Sequence, residues 1–143
     1  MRAVVIYESL TGNTKRAAEI IGRELSARGT ATTVCAITAV DLQALSEADL
    51  VVVGTWTDGF FVVGQRPGRA GRLKERLPAM RGKRAATFVT FALEPRHALD
   101  KLSDIVRATG AEVIGGMAIR RDDLEGGARD LAARLLEAAE TTS

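Results

Sequence analysis

The sequence predicts an α/β fold, with a five-stranded parallel sheet covered by helices on both faces. Short apolar runs alternate with helical periods along the 143 residues, as expected where each strand is followed by a helix. Several runs are apolar at every position, which is typical of strands buried on both faces. The first and third runs are the most uniformly apolar and should be central, whereas the threonine-bearing second and the glycine-bearing fifth suit edges. These preferences give the strand order 2-1-3-4-5.

The first half of the chain supplies three strands and one long helix. Ala18, Ile21 and Leu25 share a helical face, and Gly29 ends that helix. Asp41 can cap a short helical turn before the third strand. The three strands are predicted over Ala3–Tyr7, Ala31–Ile37 and Leu50–Val53.

The second half supplies two strands and three helices. Pro78 stops a short helix that carries Leu73 and Leu77, while Pro95 suits the first turn of the next helix, which Gly110 ends. The strands are predicted over Ala85–Phe91 and Glu112–Ile119, and the two later helices bury Leu99, Leu102 and Val106, then Leu124, Ala128, Leu131 and Leu135.

Composition limits the class of protein. A length of 143 residues with 46% hydrophobic and 27% charged residues is typical of one globular domain, expected here to span residues 1–143. The single Cys35 cannot form an internal disulfide, and no cluster of Cys and His offers metal-ligand spacing. No apolar run approaches the ~20 residues of a membrane span, and the first apolar run is too short for a signal peptide. We therefore expect a cytoplasmic protein without a metal.

Positive charge is concentrated in one short block. The chain has a net charge of +2, yet residues 65–84 alone contain eight Lys or Arg and one acidic residue. Aromatic residues are not interleaved there, so nucleic-acid binding is not indicated. The block predicts either a docking surface, which begins with Arg66, Arg69 and Arg72, or a solvated helix face followed by a turn.

A candidate anion site follows the first strand. Ser9-Leu10-Thr11-Gly12-Asn13-Thr14 leads into the first helix, whose unpaired N–H groups and partial positive charge favour an anion. Hydroxyl and amide side chains add donors there, and Gly12 lets the backbone approach a ligand. The same residue types cap ordinary helices, but their density at the edge where the strand order reverses favours a phosphate site. A Walker lysine and a GxGxxG pattern are both absent.

The SLTGNT segment resembles the S/T-x-T-G-N-T phosphate loop of flavodoxins. Gly54-Thr55-Trp56-Thr57-Asp58-Gly59 is similar to the tryptophan-bearing loop of that family. The segment from Leu102 to Met117, which includes GAEVIGG, is similar to its last helix-to-strand passage. No insertion interrupts the fifth strand, so the likeness is to short-chain flavodoxins over nearly the whole chain. It implies a flavodoxin-like three-layer sandwich with FMN as its cofactor.

The resemblance also implies which residues contact the cofactor. The phosphate would be held by Ser9, Leu10, Thr11, Gly12, Asn13 and Thr14. Trp56 would stack on one face of the flavin ring, since an aromatic side chain suits a flat ligand and excludes water. Beside the ring would lie Thr55, Thr57, Asp58 and Gly59. No catalytic residue is implied.

Two features depart from the family pattern. The loop after the fourth strand usually carries a Tyr over the outer flavin face, but here it reads Phe91-Ala92-Leu93-Glu94-Pro95-Arg96-His97. Either Leu93 or His97 covers that face, next to Phe91 and Ala92, or the face is open. His97 is also explained as an exposed residue in the first turn of a helix. Flavodoxins are generally acidic, whereas the basic block here implies a redox partner with an acidic docking surface, or a second substrate that carries a phosphate or carboxylate.

Three functions are compatible with the sequence. The leading hypothesis is an FMN-binding carrier that shuttles electrons between a reductase and a redox acceptor. An FMN-dependent NAD(P)H, quinone or protoporphyrinogen oxidoreductase is the second, favoured by an open flavin face beside arginines. A flavin-free binding module is the third, although the intact SLTGNT segment argues against it. The sequence leaves open whether the protein is an enzyme with its own substrate.

Overall fold

The computed structural model describes residues 1–58, 66–67, 70–92 and 97–141. The strands are β1 (Arg2–Tyr7), β2 (Ala31–Ala36), β3 (Leu50–Asp58), β4 (Arg66–Pro67), β5 (Arg84–Phe91) and β6 (Glu112–Arg120). The helices are α1 (Asn13–Ala27), α2 (Leu42–Glu47), α3 (Ala70–Arg76), α4 (Ala98–Arg107) and α5 (Leu124–Thr141). Short 3₁₀ turns occupy Ile37–Ala39 and Arg121–Asp123.

The five long strands are parallel and lie in the order β2-β1-β3-β5-β6. Numbered among themselves, they follow the predicted order 2-1-3-4-5, which is therefore confirmed. The more polar β2 and the glycine-bearing β6 form the two edges. β4 was not predicted, and it pairs antiparallel with the end of β3.

Side chains of the central strands alternate between two apolar cores. Val5 and Phe88 face α1 and α5, whereas Val4 and Val89 face α3 and α4. All four side chains are at most 1% exposed. Because both faces of β1, β3 and β5 are buried, their sequences are apolar without alternation, as expected for parallel strands. Among the described residues, no helix has both the length and the apolar character needed to cross a bilayer.

The predicted helix ends agree with the structure. The Asp41 carboxylate accepts a hydrogen bond from the Ala44 N–H at 3.0 Å and caps α2. Gly29 and Gly110 follow α1 and α4 with φ values of 92° and 97°, in the left-handed region where glycine is favoured. The predicted position of Pro95 lies outside the described residues.

β3 continues through Asp58, well beyond its predicted end at Val53. Residues 54–56 pair with residues 88–90 of β5, and residues 57–58 pair with β4. The prediction that a loop begins at Gly54 is therefore wrong. β5 offers backbone partners to this stretch, and the β-branched Thr55 and Thr57 suit a strand better than a loop.

Packing requires a glycine at position 54. It pairs with Phe88 across the sheet, and a Cβ on Gly54 would collide with the Phe88 ring. Phe88 is fully buried, so the ring cannot turn away without opening the core. Gly115 of β6 has no atom within 4 Å of the place where a Cβ would lie.

We expect Gly54→Ala to lower the free energy of unfolding by about 1–3 kcal/mol, because overpacking forces the ring or the strand to shift. Gly115→Ala is the matched control, and its unfolding free energy should stay unchanged or rise by up to about 1 kcal/mol. Urea titrations of both apoproteins measure the difference. Equal stability of the two variants would contradict the packing argument.

Candidate functional site

The segment between β1 and α1 is a tight loop closed by the Ser9 side chain. The Ser9 hydroxyl accepts hydrogen bonds from the N–H of Gly12 at 3.1 Å and from the N–H of Lys15 at 3.3 Å. Gly12 directly precedes the helix with φ 99°, a conformation that is costly for a residue with a Cβ. No atom lies within 4 Å of the place where its Cβ would be. Backbone conformation, rather than lack of space, therefore explains this glycine.

The start of α1 favours an anion for two reasons. Its first residues are Asn13 and Thr14, whose N–H groups belong to the first turn and have no partner inside the helix. The first turn contains no acidic residue, and the next two residues, Lys15 and Arg16, are exposed and basic. Positive side chains at a helix N-terminus oppose the helix dipole. A bound anion would offset both the dipole and these two charges.

Thr14 connects this loop to β5. Its side chain is 1% exposed, and its Oγ1 lies 2.8 Å from Oγ1 of Thr90, which is 3% exposed. The side chain of Thr90 is therefore in contact with the first turn of α1, although the two residues are 76 positions apart. The structure thus brings the predicted phosphate loop against the carboxyl end of β5.

The end of β3 lies next to the same place. Trp56 pairs with Thr90 across the sheet and is partly exposed, as a ring-stacking role requires. Thr55 is fully buried, so its side chain lies in the interior of the protein. The Thr57 Oγ1 atom is buried and has no hydrogen-bond partner among the described residues, although buried polar atoms are usually paired. A ligand with polar atoms at this edge would give that hydroxyl a partner.

The remaining predicted contacts are less closely grouped. Phe91 at the end of β5 is partly exposed and Ala92 is exposed. His97 immediately precedes α4; its side chain is 82% exposed, and its Nδ1 lies 4.0 Å from Oδ2 of Asp100. This position agrees with an exposed residue at a helix start, and the flavin contact of His97 stays a prediction. The predicted contacts of Gly59 and Leu93 lie outside the described residues.

Two of the three predicted docking arginines belong to β4 and α3. The backbone of Arg66 pairs with that of Asp58 at the end of β3, so the basic block begins beside the candidate site. Arg72 belongs to α3. Arg69 lies outside the described residues.

Shifted pKa values occur on or just after the two edge strands, β2 and β6. Burial raises the pKa of the Cys35 thiol on β2, which favours the protonated, less nucleophilic form. The Arg120 guanidinium beside Asp122 lowers the pKa of that exposed carboxyl. In the described part of the chain, no group of three or more His, Cys, Asp or Glu side chains could hold a metal ion.

Comparison with known proteins decides the family. Residues 4–117 match the family model described as Flavodoxin domain. The chain belongs to the flavodoxin family. Members of this family bind FMN, and the hydroxyl and amide donors around the start of α1 fit a phosphate-bearing cofactor. The comparison with curated proteins gave no significant match.

Solved structures show the same fold. The flavodoxin of Streptococcus pneumonia TIGR4 is 26% identical, with a TM-score of 0.68 over 94% of this chain and 99% of the other. Megasphaera elsdenii flavodoxin is 22% identical, with a TM-score of 0.72 over 91% and 95% of the two chains. The rubredoxin oxygen:oxidoreductase of Desulfovibrio gigas is 20% identical with a TM-score of 0.67, and the match covers 96% of this chain but 36% of that one. The fold therefore occurs both as a small flavodoxin and as part of a larger chain.

Sequence reasoning missed two buried residues beside the candidate site of this flavodoxin. Thr90 appears in the sequence only as one of several threonines in a strand, and its partnership with Thr14 depends on the sheet order. Its spacing of two from Phe88 does place it on the face that packs against α1. Glu8 precedes Ser9 and is 4% exposed, and its N–H donates to the carbonyl of Gly54 at 2.9 Å. A carboxylate directly after an apolar strand is normally read as solvent-exposed.

Proposed function

We propose that this flavodoxin carries electrons between a reductase and a redox acceptor, with no substrate of its own. The observation that supports the proposal most directly is the start of α1, where unpaired N–H groups, hydroxyls and two basic side chains meet without an acidic residue. Bound FMN supplies the electron-transfer chemistry. The chain contributes binding, orientation and exclusion of water.

The predicted phosphate loop offers several hydrogen-bond donors to a ligand. Ser9 accepts two backbone hydrogen bonds, which leaves its own hydroxyl hydrogen to be donated to a phosphate oxygen. Asn13 and Thr14 add first-turn N–H groups, and Thr11 is exposed in the loop. Hydrogen bonds to an anion are about twice as strong as those between neutral groups. The phosphate is therefore expected to contribute much of the affinity for FMN.

The ring is proposed to lie against Trp56, beside the end of β3. Partial exposure of this indole leaves a flat apolar surface next to the loop that holds the phosphate. Electrons must reach a second protein, so a carrier needs at least one edge of the ring to be accessible.

The deciding experiment is the identification of the cofactor and its turnover. We expect the purified, FMN-loaded protein to show flavin absorption, to release FMN on denaturation, and to pass electrons to a redox protein. It should not oxidise NAD(P)H with quinone at a catalytic rate. Such turnover would mean that the protein is a reductase and not a carrier. Failure to bind added FMN would favour the third hypothesis, a flavin-free binding module.

Replacing Thr11 and Thr14 together with Val should weaken FMN far more than riboflavin, because only FMN carries the phosphate. Each lost charge-assisted hydrogen bond costs about 1.5–3 kcal/mol, so the loss of FMN affinity should reach at least tenfold. Fluorescence titration of both ligands gives the two dissociation constants. Equal losses for the two ligands would contradict the phosphate assignment.

We also propose that the beginning of the basic block docks an acidic surface on the redox partner. Arg66 is next to the site through its pairing with Asp58. The end of the block has a different role, since the Lys83 ammonium donates to the carbonyls of Ser46 and Ala48 at 3.2 and 2.9 Å. Lys83 therefore binds the C-terminal end of α2, at the opposite edge of the sheet. Only the part of the block near β4 and α3 supports docking.

Reversal of charge at Arg66, Arg69 and Arg72 to Glu should slow electron transfer to the partner at low salt and remove most of its salt dependence. Electrostatic steering is screened beyond about 8 Å at physiological ionic strength. The control reverses the exposed Arg28, Arg121 and Arg134, which changes the net charge equally. Stopped-flow rates over a salt series measure both variants, and identical rates would refute a local docking surface.

A further inference from the structure

Thr14 and Thr90 share one hydrogen between two buried hydroxyl groups. Their Oγ1 atoms are 2.8 Å apart, and either atom could be the donor. Each hydroxyl has one hydrogen to give, so the pair uses one hydrogen and leaves the other. Among the described residues, no further side-chain hydrogen bond of either hydroxyl is present.

The direction of this hydrogen bond determines what Thr14 can offer to a ligand. If Thr14 donates to Thr90, its only hydroxyl hydrogen is consumed and the remaining hydrogen lies on Thr90. If Thr90 donates to Thr14, the remaining hydrogen lies on Thr14, which is in the first turn of α1. Only the second arrangement lets Thr14 donate to an anion at the start of the helix.

We propose that Thr90 is a positioning residue for phosphate recognition: its hydroxyl donates to Thr14 Oγ1 and thereby directs the Thr14 hydrogen to the phosphate of FMN. This inference rests on the proposed FMN site. Thr90 itself does not touch the phosphate. A buried hydroxyl without an acceptor is costly, and an anion at the helix start supplies an acceptor for the one hydrogen that the pair leaves over.

The position of Thr90 also connects the two parts of the site. Thr90 pairs in register with Trp56 and directly precedes Phe91, the last residue of β5. The hydroxyl pair therefore fixes the first turn of α1 relative to the strands that carry the aromatic side chain. Loss of the pair should act on the phosphate end of the cofactor before it acts on the ring end.

Thr90→Val tests the proposal, because Val keeps the shape of Thr and removes the hydroxyl. We expect FMN to bind about 10- to 100-fold more weakly, as for the loss of one charge-assisted hydrogen bond, with riboflavin affinity within about twofold of wild type. Thr90→Ser, which keeps the hydroxyl, should restore most of the FMN affinity. A general loss of affinity for both ligands, or an unchanged affinity for FMN, would overturn the proposal.

A matched control separates positioning from stability. Thr87 lies on the same strand and forms a buried hydroxyl pair with Ser103, with 2.8 Å between the oxygens. Thr87→Val removes an equivalent hydrogen bond on the other face of β5 and should lower the unfolding free energy by a similar amount. Its ratio of FMN to riboflavin affinity should equal that of wild type. A similar change of this ratio in both variants would mean that β5 stability alone matters, which overturns the proposal.

A double-mutant cycle of Thr90→Val with Thr14→Val tests whether Thr90 acts through Thr14. If Thr90 acts through Thr14, the effect of Thr90→Val on FMN should disappear in a Thr14→Val background. Full additivity of the two substitutions would overturn the proposal. If Thr14→Val weakened FMN binding selectively but Thr90→Val did not, the proposal for Thr90 would be overturned and the proposed function would stand. If Thr14→Val left FMN binding unaltered, the phosphate role of Thr14 and the proposal for Thr90 would fall together, and the identity of the released cofactor would then test the proposed function separately.

Discussion

The burial of β1, β3 and β5 on both faces is the constraint on which the rest of the structure depends. A parallel sheet with two apolar faces needs helices on each, so the connections must leave the sheet in both directions. Here α1 and α5 cover one face, and α3 and α4 cover the other. The change of direction occurs between β1 and β3, and in parallel α/β sheets such a reversal is where ligands bind, beyond the carboxyl ends of the strands. The location of the proposed ligand site therefore follows from how the core is covered.

Apolar packing, rather than surface charge, holds the helix that follows the predicted phosphate loop in place. α1 buries Ile21 and Leu25 completely in the core that it shares with α5, and each such side chain contributes about 1.5–3 kcal/mol. Arg23 and Glu125 also join α1 to α5, with 2.6 Å between guanidinium and carboxylate. Both of these side chains are substantially exposed, so the ion pair contributes at most about 1 kcal/mol. The position of α1 as a whole is thus determined mainly by the core.

Sequence patterns predicted the strands and their order because apolar runs report burial directly. They failed at the end of β3, where pairing with β5 extends the strand past Gly54. A glycine and two threonines suggest a loop when they are read locally, and only the partner strand shows otherwise. For the same reason the SLTGNT segment can be proposed as a phosphate loop from its own residues, whereas the pairing of Thr14 with Thr90 cannot be predicted from them. Contacts between residues 76 positions apart depend on the sheet order and leave no local pattern.

The role of the basic block, residues 65–84, could be interpreted only in part from the sequence. A run of charge in the sequence does not reveal which side chains share a surface. In the fold, Arg66 lies at the carboxyl edge of the sheet beside Asp58, while Lys83 lies at the amino edge and binds the carbonyls that end α2. The number of charges available for docking is accordingly smaller than the count for residues 65–84.

Local charge at the start of α1 would favour an anion at the proposed site. Lys15 and Arg16 stand in a region where the helix dipole already disfavours positive charge, and in the described residues no acidic side chain occupies that first turn. The arrangement costs stability in the free protein, since each unfavourable charge at a helix end amounts to about 0.3–1 kcal/mol. A bound phosphate would offset these unfavourable interactions and accept hydrogen bonds from the same turn. On the proposed function, selectivity for the phosphate ester would therefore arise from this unfavourable local charge, and the hydroxyl groups of Ser9 and Thr14 would orient the phosphate.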